Sequence, residues 1–156
     1  MKKQIFLITI FSVILGLTSC SSDDSSGLDA NTAITSKTWL VQSKKLSPSI
    51  EMNGLVIDDI MIIEDEGTRN YSFKFDSDGA MYQYDAENTL IYQTTWSLNS
   101  DNTELSFGEP IVYNYPVVGP MGISAIDIES ISNSKMVGTI SAVFEGTAYV
   151  VTITFI

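Results

Sequence analysis

The chain has no histidine, a single cysteine, one arginine and four prolines among its 156 residues. Without histidine there is no Ser-His-Asp or Cys-His activation of a nucleophile and no imidazole metal site. One thiol cannot close an internal disulfide. Basic residues are scarce: eight Lys and Arg face nineteen Asp and Glu, a formal charge of −11. A surface of that sign repels phosphate backbones and anionic headgroups, so nucleic acid is not an expected partner. Long apolar runs are missing as well. The longest, Ile5 to Leu17, is thirteen residues and is interrupted by Thr9, Ser12 and Gly16. A permanent membrane-spanning helix needs about 20 residues.

What is there begins with that run. Lys2 and Lys3 precede it, small residues Thr18 and Ser19 follow, and the lone Cys20 comes next. This is the layout of a secretory signal, except that a cysteine stands where an Ala-x-Ala-like site would end. Leu17-Thr18-Ser19-Cys20 resembles the lipobox of bacterial lipoproteins. The resemblance implies cleavage before Cys20, a diacylglycerol on its thiol and an acylated new amine. Two or three acyl chains exceed a marginal single-chain anchor, so stable membrane attachment is expected. Residues 1–19 are then signal peptide, and residues 20–35 are the lipidated cysteine followed by a flexible acidic tether. Its segment Ser21 to Thr35, "SSDDSSGLDANTAIT", has too little apolar surface for a core and would span about 20 Å as a coil. Asp23 and Asp24 resemble the acidic export signal of surface lipoproteins in the Bacteroidetes. Cell-envelope localisation is expected, on the outer membrane, with surface exposure as one option. Loss of Lys2 and Lys3 leaves six basic residues against nineteen acidic ones.

Residues 36–156 form the domain, and period-two alternation dominates them. Inward faces are read as Trp39 and Val41 (with Gln42 and Lys44 outward), Tyr71, Phe73 and Phe75, Tyr82 and Tyr84 (with Gln83 outward), then Leu90, Tyr92, Trp96 and Leu98. They continue with Leu105 and Phe107, Ile126 and Ile128, then Met136, Ile140 and Phe144, and finally Tyr149, Val151, Ile153 and Phe155. Turn chemistry separates the strands at "DSDG", "DAEN", "NSDN", "SNS" and "EGT". Eight short antiparallel strands predict an all-β sandwich or barrel, and eight can close around an interior that side chains just fill. So many aromatic residues leave little room for a central ligand. Between the first two strands, "IEMNGLVI" reads as a small hairpin with Asn53-Gly54 as a type I′ turn. "DDIMII", Asp58 to Ile63, has two readings, a short helix or a buried strand, and residues 55–63 are left open between them.

Three segments, "SKTWLVQS", "YSFKFDSDGAMYQYD" and "TTWSLNSDNTELSF", resemble the lipocalin-like lipoproteins of the Bacteroidetes, and "AIDIESISNSKMVG" resembles a later strand of that family. The resemblance implies a single eight-stranded lipocalin-like barrel. It departs at Lys37 and Thr94, where the family has Gly two residues before each Trp. The only arginine, Arg69, is not placed to stack on Trp39.

Candidate chemistry is sparse. "DSDG", Asp76 to Gly79, lacks the spacing of a calcium loop and reads as a hairpin turn. "EDE", Glu64 to Glu66, reads as a solvated acidic loop, with weak calcium binding as the alternative. Asp127 and Glu129 share a strand face about 7 Å apart, but on its polar side. Tyr113 and Tyr115 lie in "GEPIVYNYPVVGPMG" with Pro110, Pro116 and Pro120. One reading makes 108–122 a binding loop that carries both tyrosines to a partner. The other makes Ile111, Tyr113 and Tyr115 an edge strand pointing inward. No catalytic residue, cofactor or metal is assigned. The expected protein is a monomeric, non-catalytic binding module for an unidentified protein, glycan or small apolar ligand, joined to the membrane through Cys20. The alternatives are an inhibitor or assembly factor for an envelope enzyme and, last, a carboxylate-dependent hydrolase.

Overall fold

A computed structural model describes residues 29–115, 119–144 and 146–156. Among the described residues nine strands form one antiparallel sheet: β1 Thr38–Met52, β2 Leu55–Asp59, β3 Ser72–Phe75, β4 Ala80–Tyr84, β5 Leu90–Leu98, β6 Glu104–Tyr115, β7 Gly119–Ile131, β8 Met136–Phe144 and β9 Thr147–Phe155. The sheet closes because β1 is long enough to serve three partners. Thr38–Leu40 pair with β3, Val41–Ser47 pair with β9, and Lys45–Met52 pair with β2. The seam is sealed by reciprocal hydrogen bonds between Leu40 and Ile156, both 2.9 Å. Eight strands therefore make a closed barrel, and β2 is a ninth that pairs only with β1.

Short loops set the registers. Asn53 and Gly54, both at positive φ, make the expected turn between β1 and β2. After β3, Asp76 N–H donates to Ala80 O at 2.8 Å and Gly79 N–H to Asp76 O at 3.0 Å, with Gly79 at φ 87°. The same three-residue device recurs between Asp85 and Thr89, with Asn88 in the left-handed position. "DSDG" is thus a hairpin turn.

The β3–β4 loop also corrects one inward face. It pairs Phe75 with Met81 and Phe73 with Gln83, so the buried residues of β4 are Met81 and Gln83, while Tyr82 and Tyr84 point outward. A slip of one residue moves every side chain to the other face, and the turn, not aromatic content, decided the slip here.

At one end of the barrel, a short helix α1 (Ala30–Thr35) inserts Ala33 and Ile34 into the core. Trp39 is fully buried, donates from Nε1 to Ile34 O at 2.7 Å, and carries Lys37 Nζ 4.5 Å above its ring. The expected tether is corrected there: residues 20–28 lie outside the described residues, and Ala30–Thr35 belongs to the folded unit. Asp29 caps that helix by accepting from Thr32 N–H at 3.3 Å, and burial of Ile34 repays the ordering. Trp96 is buried as expected, edge-on to Phe75 at 5.5 Å, with Nε1 donating to Asp76 O. Among the described residues, apolar voids of about 20 and 30 Å³ lie between inward side chains, each room for about one water, so side chains largely fill the barrel.

Candidate functional site

The opposite end of the barrel carries the polar chemistry. β1 begins with the usual inward alternation, Trp39 then Val41, but its pairing with β9 shifts register between Val41 and Ser43. That bulge reverses the phase, so Lys44 points inward and is only 4% exposed. Alternation had placed Lys44 on the outer face. The shift has a trace in the sequence: the apolar residues change from odd positions (Trp39, Val41) to even ones (Leu46, Ile50).

Two aspartates shape the segment that meets Lys44. Asp59 ends β2 and caps a 3-10 turn, Ile60–Ile62, accepting from Met61 N–H at 3.0 Å and from Lys44 N–H at 3.2 Å. Neither open reading of residues 55–63 covers the whole: strand runs to Asp59, then the tight turn follows. Asp65 caps a one-turn helix, α2 Glu66–Arg69, accepting from Thr68 N–H at 2.8 Å and Thr68 Oγ1 at 2.9 Å. Those bonds hold the Asp65 carboxyl below its ordinary pKa.

Glu64 lies between the two caps. Glu64 is 6% exposed and its Oε1 accepts from Lys44 Nζ in a buried ion pair. This corrects the reading of Glu64 to Glu66 as a solvated loop: Asp65 and Glu66 are exposed, Glu64 is not. Its Oε2 is buried with no hydrogen-bond partner among the described residues. Burial lowers the Lys44 pKa, against the opposing pull of Glu64 and then Asp59.

Tyrosines complete the site. The segment 108–115 is strand and 119–122 opens the next, so the binding-loop reading gives way to the inward-strand alternative. Ile111, Tyr113 and Tyr115 face the interior, Tyr113 at 7% and Tyr115 at 4% exposure. Their rings lie 6.0 Å apart, nearly parallel, and Lys44 Nζ sits 4.6 Å from the Tyr113 centroid. Tyr71, half-buried, approaches Tyr113 at 6.4 Å. Burial, then the negative charge of Glu64, pushes both interior phenols far above the ordinary tyrosine range. They are therefore protonated, and their rings stack.

Above this group opens a cleft of about 500 Å³, lined by Ile63, Glu64, Asp65, Thr68, Tyr71, Val112, Tyr113, Asn114 and Tyr115. That size is ordinary for a small-molecule site. No protein-family model matches the chain, and no curated protein matches it at a significant level. The site therefore stands on its own geometry.

The other sequence candidates stay apart from it. Asp127 and Glu129 are exposed on β7, and Asp76–Gly79 turns at the far end of the barrel. Cys20 lies outside the described residues. The sequence reading named Tyr113, Tyr115 and the Glu64 cluster but did not join them, and it missed Lys44.

Proposed function

We propose that this chain is an envelope lipoprotein, held on the outer membrane by lipid on Cys20, whose lipocalin-like barrel is a monomeric, non-catalytic binding module. The observation that supports binding is the open cleft of about 500 Å³ whose wall combines Glu64, Tyr71, Tyr113, Asn114 and Tyr115. A filled interior argues that the ligand is met at the barrel mouth, beside Tyr113 and Tyr115, and not in a central cavity. The non-catalytic reading is supported by the two phenols being held protonated and by the Asp127 and Glu129 carboxylates facing water.

The anchor is argued from the Leu17–Cys20 motif and its flanks. Metabolic labelling with an alkyne fatty acid tests it: the wild type should be labelled and membrane-bound, and Cys20→Ala should be neither. Equal labelling of the two would remove the lipoprotein reading. The cleft is tested by thermal-shift screening of a small-molecule library against the wild type and Val112→Arg. Val112 is exposed on the cleft wall, so the arginine should fill the cleft without harming the fold. Hits that survive the arginine unchanged would place binding elsewhere.

A further inference from the structure

The cleft follows the edge of a strand. Val112, Tyr113, Asn114 and Tyr115 all line it, although Val112 and Asn114 are exposed on the outer face of β6 while Tyr113 and Tyr115 point inward. Four consecutive residues of an alternating strand border one space only where that space runs along the strand's edge. No strand occupies that edge among the described residues, because the ladder between β5 and β6 ends at Trp96 and Phe107. Just above it, side chains of β5 take over. Thr94 Oγ1 accepts from Glu109 N–H at 2.9 Å, and the Tyr92 hydroxyl donates to Glu109 O at 3.3 Å and to Pro110 O at 3.1 Å. On its other edge β6 pairs with β7, Asn114 opposite Pro120 and Val112 opposite Gly122. Proline has no N–H, so Asn114 and Pro120 cannot exchange the two bonds of a hydrogen-bonded pair, and alternation gives Val112 and Gly122 the same status. The N–H and C=O groups of Val112 and Asn114 therefore point away from β7, into the cleft.

A free row of strand donors and acceptors is a template for one more strand. Four residues offer about 10–14 Å of edge, enough for a short extended peptide. Charge selects among peptides. Lys44 is neutralised by Glu64 beneath the cleft, the exposed Asp65 stands on its wall, and the whole chain carries −11. A second copy of this chain would bring like charge, whereas a peptide with Lys or Arg is attracted. We propose that the cleft binds an extended, basic peptide segment of another protein, which adds as a strand to the Val112–Tyr115 edge of β6 with a Lys or Arg side chain reaching Asp65. The inference rests on the reading of this cleft as a ligand site and specifies its chemistry.

The test selects a displayed library of random heptapeptides on the lipidated full chain in detergent, and the most enriched sequence is then made as a blocked peptide. Enriched sequences should be rich in Lys and Arg and poor in Pro, Asp and Glu, and the blocked peptide should bind saturably in isothermal titration calorimetry. N-methylation of alternate peptide residues should weaken binding about tenfold or more in one phase and leave it nearly unchanged in the other, because only every second N–H of an added strand faces β6. Asn114→Pro removes one backbone donor aimed at the cleft, at a strand edge where proline is tolerated. It should weaken binding about tenfold, while Asn114→Ala, which keeps the N–H, stays within about threefold. The N-methylated peptides need no variant, so they remain informative if Asn114→Pro fails to fold. Asp65→Asn keeps a capping oxygen and should erase the preference for basic peptides. Enrichment of acidic peptides, equal tolerance of both N-methyl phases, or no saturable peptide binding would each overturn the proposal. A concentration-dependent dimer dispersed by Asn114→Pro would give the edge to a second copy and overturn it too. If no peptide binds, small-molecule hits abolished by Val112→Arg would keep the cleft as a ligand site of other chemistry, and their absence would end both readings.

Discussion

Replacing Lys44 by methionine isolates the energetics of the barrel mouth. Methionine follows the aliphatic course of the lysine side chain, so packing against Tyr113 is largely kept, but the ammonium is gone. Glu64 is then a carboxylate at 6% exposure whose Oε1 has lost its Lys44 donor. Breaking one side of a buried pair in this way costs about 3–5 kcal/mol. Against a total stability of about 5–15 kcal/mol the loss is large, and at about 4 °C per kcal/mol it lowers Tm by about 12–20 °C. Trp39 and Trp96 are both buried, so urea denaturation followed by tryptophan fluorescence reads the change directly. The midpoint should fall with little change in slope. The companion double variant, Lys44→Met with Glu64→Leu, removes both charges and should recover most of the loss, because an apolar pair avoids the desolvation cost altogether. A coupling energy of about 2 kcal/mol or more is therefore expected from the cycle. A single variant within about 0.5 kcal/mol of wild type, or strictly additive effects, would refute the buried-pair account.

Other consequences follow from the same geometry. Ile34→Ala removes a fully buried side chain of α1 and should cost about 2–4 kcal/mol, and a chain beginning at residue 36 should melt well below one beginning at Asp29; equal melting would return 30–35 to the tether. Tyr113 and Tyr115 have folded-state pKa values raised above the unfolded 10.0, so the stability they contribute is complete below about pH 10 and is lost as pH rises beyond it. Lys44, lowered from 10.5, acts with the opposite sign, stability rising with pH below that value, so Tyr113→Phe with Tyr115→Phe should specifically flatten the alkaline loss between about pH 10 and pH 12; an unchanged alkaline slope would count against the burial of the phenols.

Much of the barrel is local, and for that reason it was legible. Strand alternation, the Asn53-Gly54 turn, the Gly79 hairpin and the burial of Trp39 and Trp96 each depend on a few adjacent residues whose backbone preferences and apolar periodicity agree. Tyr113 and Tyr115 were legible as an inward strand only as one of two readings, because the prolines around them argue for loop until β7 supplies the pairing. Three features escaped strand alternation. The inward face of β4 depends on where the β3–β4 loop sets Met81 against Phe75, and aromatic content pointed the other way. Lys44 turns inward because β9, more than a hundred residues later, pairs with β1 across a bulge. Glu64 is buried because caps at Asp59 and Asp65 hold the connecting segment over the barrel mouth, where Lys44 waits twenty residues away in sequence. Alternation can specify that a face is apolar or polar. Which polar residue a bulge or a cap forces inside, and which opposite charge it meets there, is decided by pairing between distant strands, since only closure of the barrel removes the water that would otherwise solvate both.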